Sequence, residues 1–254
     1  MRITTLGCNG SITGELRTTC YRVDDDILID VGTGAGDLSL TESIAITTVF
    51  LTHAHLDHCA LLPMLADAAG NFRDTPLNVY ALPQTIDSLK THMLNGRLWP
   101  DYTALPSPDK PYIRFYPIQV GQTVALSGRR ITALPARHSI PCVGYCIAGS
   151  GATLVYSADT CYCPEFWLAL QRIDNLEYLL IENTFRNANE HSAQRSGHMT
   201  ANQLAMGLAL LQRPVQLYIV HMEAGYEAES MREVQTAAAG FNPAMLQRGH
   251  VFEL

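Results

Sequence analysis

The sequence predicts an α/β domain of four layers, αββα, in which two packed sheets carry helices on both outer faces. Three observations predict it. Short apolar runs recur along the whole chain, and the early ones are separated by tight turns carrying Gly and Asp. The later runs alternate with stretches of helical period, which places helices against sheet faces. The chain has 254 residues, 47% of them hydrophobic and 16% charged, a composition that suits one large core over residues 1–254.

Taken in order, strands are expected at 2–6 (RITTL), 20–23 (CYRV), 27–31 (ILIDV), 47–52 (TTVFLT), 78–82 (NVYAL) and 113–118 (IRFYPI). They continue at 130–134 (RITAL), 144–148 (GYCIA), 153–159 (TLVYSAD), 178–183 (YLLIEN) and 216–222 (QLYIVHM). Helices are expected at 59–69 (CALLPMLADAA), 84–95 (QTIDSLKTHMLN), 164–173 (PEFWLALQRI), 200–213 (TANQLAMGLALLQR) and 228–239 (AESMREVQTAAA). Thr200 offers an N-cap to the fourth helix, and Arg213-Pro214 stops it. The stretch 95–112, NGRLWPDYTALPSPDKPY, is rich in Pro and aromatics and reads as a lid or pocket wall.

Charge narrows the function. A formal charge of −7 leaves no basic face for gripping long nucleic acid. A small anionic substrate then needs local positive charge, which metal ions supply. The start of the chain lacks the charged and apolar regions of a signal peptide, and no apolar run is long enough to span a membrane. A cytoplasmic enzyme is expected, with a homodimer as the commonest assembly. The seven cysteines show no paired zinc-ribbon spacing and read as buried thiols in a reducing compartment. Cys161 and Cys163 lie close to a proposed ligand, so a redox or metal role stays open for them.

The run 53-HAHLDH-58 follows a strand and precedes a helix. Neutral imidazole and carboxylate are the common ligands of zinc and similar ions. Four such groups in six residues exceed what one tetrahedral ion takes from one short loop. Split as His53/His55 and Asp57/His58, they make two half-sites, each wanting ligands from elsewhere. Two ions about 3.5–4 Å apart can share a bridging hydroxide and clamp a displacement at phosphorus. Three isolated residues answer the need: His138 in LPARHSIP, Asp159 at the end of TLVYSAD, and His221 at the end of VQLYIVH. Any one strand-end histidine or aspartate alone is more often structural. The dense cluster demands such partners, which tips the balance.

The H-x-H-x-D-H run, with Asp30 upstream and His138, Asp159 and His221 downstream in that order, resembles the metallo-β-lactamase-fold hydrolases. The resemblance spans nearly the whole chain and implies an αββα sandwich with a dinuclear metal site between its sheets. It implies two divalent metal ions, zinc first, with manganese or iron as alternatives. One would be held by His53, His55 and His138, the other by Asp57, His58 and His221, with Asp159 bridging. Asp30, in 27-ILIDVGTG, would orient the histidine loop, because ligating histidines usually need a carboxylate or carbonyl to fix their tautomer. Lactam-cleaving relatives typically carry cysteine where this chain has Asp159, which weakens a β-lactamase reading.

Glu182, in YLLIENTF, and His198, in GHMT, look like the Glu and His-x-Thr pair of phosphodiesterase members such as the tRNA 3′-processing endonucleases. His198 would protonate the departing alkoxide, with Glu182 orienting it and raising its pKa. Asp57, His198 and Glu182 are thus the expected catalytic set. Those endonucleases usually carry a long arm between the positions of His138 and Asp159, where this chain has twenty residues.

A nearer resemblance is to the class II 3′,5′-cyclic-nucleotide phosphodiesterases. It rests on THAHLDH, on 84-QTIDSLKTHMLNGRLWPDYTAL, on LIENTF, on GHMT and on 217-LYIVHMEAGYEAESMREV. It adds His92, Asn95, Trp99 and Asp101 as a substrate pocket, though Trp99 serves core packing equally well. Cys59 and Met222-Glu223 depart from the class pattern. The expected function is metal-dependent hydrolysis of a small phosphodiester, a 3′,5′-cyclic nucleotide first, giving the nucleoside 5′-monophosphate. An RNA or oligonucleotide phosphodiesterase and a non-catalytic nucleotide-binding protein are the alternatives. A di-iron redox role ranks lower, because such relatives work beside a flavin domain.

Overall fold

The computed structural model describes residues 1–254 as two seven-stranded sheets. The first takes β1 (Arg2–Gly7), β2 (Cys20–Val23), β3 (Ile27–Ile29), β4 (Thr48–Phe50), β5 (Leu77–Ala81) and β6 (Ile113–Pro117). The second takes β7 (Thr123–Leu126), β8 (Arg129–Pro135), β9 (Val143–Ala148), β10 (Thr153–Tyr156), β11 (Leu176–Glu182), β12 (Gln216–Val220) and β13 (Ala244–Met245). A last strand, β14 (Val251–Glu253), returns to pair with β1, so each sheet has an antiparallel side and a parallel side. The parallel runs are β3-β4-β5-β6 and β10-β11-β12-β13.

Parallel strands need crossover connections, and helices supply them. On the first sheet these are α1 (Leu40–Ala45), α2 (Leu56–Cys59), α3 (Leu62–Gly70) and α4 (Pro83–His92). On the second they are α5 (Pro164–Leu170), α6 (Glu190–Ser196), α7 (Ala201–Leu208) and α8 (Glu227–Ala237). Leu62, Leu65 and Leu89 cover the outer residues Leu28, Val49 and Val79 of the first sheet. Phe166, Trp167, Leu204 and Val234 cover Val155, Leu179 and Ile219 of the second. Between the sheets, Ile3, Ile29 and Phe50 meet Tyr145, Leu154 and Leu180 in one buried cluster. The αββα order of layers is the one expected from the sequence. Covered on both faces, β3, β4 and β10 are buried at every residue, which is why they read as continuous apolar runs and do not alternate. No helix is long and apolar enough to cross a membrane.

Several boundaries differ from the expectation. The helix expected from residue 59 begins at Leu56, breaks after Cys59 and restarts at Leu62 with Pro63 in its first turn, where proline's missing N–H costs nothing. Thr200 stands at the N-cap of α7, but its hydroxyl makes no capping bond and is buried without a partner. The same helix ends at Leu208, short of Pro214, because Leu210 and Leu211 donate to the carbonyls three residues back and tighten the last turn. The short elements α1, α6, β7, β13 and β14 were not anticipated. Of these, α1 carries a full capping box between Ser39 and Glu42, a local signal that the sequence displays.

Candidate metal centre

The candidate ligands stand where strands of the two sheets end side by side. His53 and His55 follow β4, and α2 presents Asp57 and His58. From the opposite sheet come His138 after β8, Asp159 after β10 and His221 after β12. The backbone bends sharply at these ends. Asp30 (φ 59°), Ala158 (φ 56°) and His221 (φ 59°) all adopt the left-handed region, which costs a non-glycine residue roughly 1–3 kcal/mol. The surrounding packing holds that strain at the site.

Two groups of four side chains could each hold an ion: His53, His55, His138 and Asp159, and Asp57, His58, Asp159 and His221. In the first, His55 Nδ1 lies 3.1 Å from both His53 Nε2 and His138 Nε2. In the second, His221 Nε2 lies 3.0 Å from Asp57 Oδ2 and 3.3 Å from Asp159 Oδ2, and His58 Nε2 lies 3.3 Å from Asp159 Oδ1. Tetrahedral bonds of about 2.0–2.2 Å would set ligand atoms about 3.3–3.6 Å apart, close to these separations. His58 Nε2 and Asp159 Oδ1 are buried without a hydrogen-bond partner. Orphaned buried polar atoms are rare, and an ion between them would satisfy both. The cluster therefore suits metal binding, with Asp159 common to both groups.

Charge states follow the surroundings. Burial pushes His53, His55 and His138 below the ordinary histidine range, favouring the neutral imidazole that ligates metal. Burial acts against the His58 cation too, but the Asp159 and Asp30 carboxylates outweigh it and hold His58 high. Asp159 would be raised by burial alone; His221 and His58 hold it well below the usual carboxylate range.

Behind the ligands stands a layer of orienting groups. His58 Nδ1 donates to Asp30 Oδ2 at 2.7 Å, and Thr52 donates to Asp30 from both its amide and its hydroxyl. Asp30 is wholly buried, with His58 and Thr52 as its donors. His138 Nδ1 donates to the Gly197 carbonyl at 2.9 Å. Gly197 has φ 76°, and a Cβ there would sit 2.7 Å from Ser139 N and 2.9 Å from His138 C. Gly10 lies flat under His221, where a Cβ would come within 2.7 Å of the ring. Thr52, Gly10 and Gly197 escaped the sequence reading; only Thr52, directly before the histidine run, left a local clue.

Glu182 ends β11 fully buried, and His198 lies in the turn between α6 and α7. The Glu182 carboxylate receives His198 Nδ1 at 2.8 Å, Thr160 N at 2.9 Å and Met199 N at 3.2 Å. Burial alone would lower His198, but Glu182 overrides it and raises the imidazole to about 9. The His198 ring lies 4.8 Å from that of His138 and 5.3 Å from that of His221, next to one member of each group.

The four residues expected to line a pocket stand elsewhere in the contact network. Asn95 Oδ1 accepts from the Arg97 and Leu98 amides, and Asp101 Oδ1 from Thr103, so both close turns. Trp99 packs against the helix-side core of the first sheet, and His92 is exposed at the end of α4. No hydrogen bond, ion pair or ring contact joins any of them to the ligand groups. All seven cysteines are free, and neither Cys161 nor Cys163 belongs to either group.

Residues 26–222 match the beta-lactamase superfamily domain. A ribonuclease Z from Methanothermobacter thermautotrophicus is 23% identical over 283 residues, covering 89% of this chain and 88% of that protein. A probable 3′,5′-cyclic-nucleotide phosphodiesterase from Yersinia pestis is 29% identical over 120 residues, covering 46% of this chain and 34% of that protein. The solved structure of unliganded yeast PDE1 superposes with a TM-score of 0.80 at 18% identity, over 100% of this chain and 99% of that one. With most of its length inside the family match and its strand ends converging on paired ligand groups, the chain belongs to the beta-lactamase superfamily and has the metallo-β-lactamase fold.

Proposed function

We propose that the protein is a metal-dependent hydrolase of a small anionic phosphodiester, with 3′,5′-cyclic nucleotides as substrates and nucleoside 5′-monophosphates as products. The observation that carries this reading is His198, held by Glu182 at 2.8 Å and placed beside both ligand groups. Two divalent ions, zinc by the histidine-rich donor set, would be held by His53, His55, His138 and Asp159 and by Asp57, His58, Asp159 and His221. When bound they supply an activated water and positive charge for the phosphoryl oxygens. His198 supplies what remains. Its Nδ1 is committed to Glu182, so Nε2 is the nitrogen that can hand a proton to the departing 3′-oxygen. Raised to about 9, His198 is charged at neutral pH and ready to donate. Asp57 keeps 26% of its side chain exposed while His58 and Asp159 are buried, so substrate would approach from the Asp57 side.

Two features favour a small substrate. Between His138 and Asp159 the chain forms the antiparallel pair β9 and β10, closed by a short turn with Thr153 opposite Ala148. Nothing projects there to grip a folded RNA. The net charge of −7 points the same way.

A second reading has its own support: the ribonuclease Z relative aligns over 89% of this chain, the cyclic-nucleotide phosphodiesterase relative over 46%. Short RNA is then the substrate. The deciding experiment is hydrolysis of cyclic AMP, cyclic GMP, bis(p-nitrophenyl) phosphate and a precursor-tRNA 3′ trailer by metal-quantified protein. Cyclic-nucleotide turnover, lost in His198→Ala with both ions retained, is the expected result. Cleavage of the trailer without cyclic-nucleotide turnover selects the second reading, and nucleotide binding without turnover of any diester rejects both.

A further inference from the structure

We infer that Thr184 is a positioning residue that ties the ligand His221 to the proton donor His198 through a single carboxylate. Thr184 lies just past β11 and is buried. Its Oγ1 stands 2.8 Å from Glu182 Oε2, 3.0 Å from His221 Nδ1 and 3.2 Å from His198 Nδ1. A threonine hydroxyl has one proton to give. Glu182 is surrounded by donors, the amides of Thr160, Thr184 and Met199 and the His198 ring, so both of its oxygens serve as acceptors. The Thr184 proton therefore goes to Oε2, its nearest acceptor. Having given that proton, the hydroxyl can only accept from histidine. His198 Nδ1–H is already committed to Glu182 Oε1 at 2.8 Å, so the proton it accepts is that on His221 Nδ1.

The order of protons is thus fixed: His221 Nδ1–H to Thr184 Oγ1, and Thr184 Oγ1–H to Glu182 Oε2. With Nδ1 protonated, His221 Nε2 presents a lone pair toward Asp57 and Asp159 at 3.0 and 3.3 Å. The place of the ring has a separate cause. Gly10 packs beneath it, and the His221 amide donates to Cys8 O at 2.7 Å. Packing sets where His221 sits, and Thr184 sets which nitrogen keeps the lone pair that would hold an ion.

The same device recurs across the site. Thr52 Oγ1 lies 2.9 Å from Asp30 Oδ2 and 3.0 Å from His53 Nδ1, while Asp30 takes His58 Nδ1 directly at 2.7 Å. In each case one carboxylate holds one histidine itself and a second through a threonine hydroxyl. At Asp30 both histidines belong to the ligand groups. At Glu182 one is a ligand and the other the proposed proton donor, which couples metal binding to proton transfer.

The inference rests on the functional reading above for the roles of His221 and His198, and the experiment separates the two. Full-length wild type, Thr184→Val and Thr184→Ser are compared by competition for zinc with a chromophoric chelator. Histidine ¹⁵N NMR of the metal-free proteins and hydrolysis of bis(p-nitrophenyl) phosphate are measured alongside. Valine keeps the shape and deletes the hydroxyl, so one of the two ions is expected to bind roughly ten- to a hundredfold more weakly. Serine should restore the affinity, and His221 should carry its proton on Nδ1 in wild type but lose that preference in the valine variant. Wild-type zinc affinity in Thr184→Val, or a serine variant as weak as valine, overturns the relay. A wild type that cleaves no diester sinks the functional reading alone, because the NMR still decides the relay: a proton on His221 Nε2 rejects it, one on Nδ1 supports it.

Discussion

His198 is polar, mostly buried and ringed by other titratable groups, so the consequence of changing its partner can be worked out in sign. A proton donor must be charged, and kcat falls as pH rises through its folded pKa, which Glu182 raises to about 9 against the pull of burial. Glu182→Gln removes the largest influence that opposes burial, leaving only the weaker pull of Asp159 and Asp57. The basic limb of the kcat profile should then move to lower pH, with a larger loss at alkaline than at neutral pH. His198→Ala should lower kcat by roughly 10²–10⁴-fold while both ions stay bound, the usual scale for losing a general acid. Metal analysis beside the rate profile checks both; an unmoved basic limb in Glu182→Gln would remove His198 from the proton-transfer step. Gly197 is the other sensitive residue. At φ 76° and 2.9 Å from His138 C, an added Cβ forces the turn away from the histidine whose Nδ1 its carbonyl receives. Gly197→Ala should cost about 1–3 kcal/mol in urea unfolding. It should also weaken the ion held by His53, His55 and His138 more than the other, read by chelator competition.

At the scale of elements, what could be read from the sequence was whatever is local. The H-x-H-x-D-H run places four candidate ligands on one strand–helix junction, so spacing alone exposes it, and the apolar strands before His221 and Asp159 point to their ends. Asp30, Glu182 and His198 stood out by resemblance, since their contacts cross between elements. Gly10, Gly197 and Thr184 were not legible, because each matters only through a contact formed in the fold. In the distinctive run around Trp99, Asn95 and Asp101 close local turns. Helix packing carries a test of its own. Gly207 on α7 faces Trp167 on α5 so closely that a Cβ would lie 1.9 Å from the indole. Trp167 is fully buried and has nowhere to go. Gly207→Ala should destabilise the fold by about 1–3 kcal/mol, as overpacking does, with two ions still bound. A variant as stable as wild type would mean that α5 and α7 are free to separate.

For the whole molecule, the ligand groups join two layers that meet mainly through apolar side chains, with a few hydrogen bonds such as Tyr145 Oη to Leu51 O at 2.8 Å. The first sheet contributes His53, His55, Asp57 and His58, the second His138, Asp159 and His221. Each candidate group takes members from both, so a bound ion would clasp the sheets at their strand ends. Without it, the carboxylates of Asp57 and Asp159 lie together beside orphaned His58 Nε2. An ion that binds only the folded chain stabilises it by about 2.7 kcal/mol when free metal is a hundred times its Kd. For a chain of this size that is on the order of 5–10 °C in Tm. Chelation should therefore lower Tm by that order, and added zinc should restore it. Asp159→Ala removes the one side chain common to both groups, so its Tm should respond weakly to chelator or to zinc. Gly207→Ala, lowered for an unrelated reason, should keep the full response. Calorimetric scans of the three proteins with and without chelator check this; a wild-type Tm that ignores chelator, or an Asp159→Ala variant with the full metal response, would overturn it.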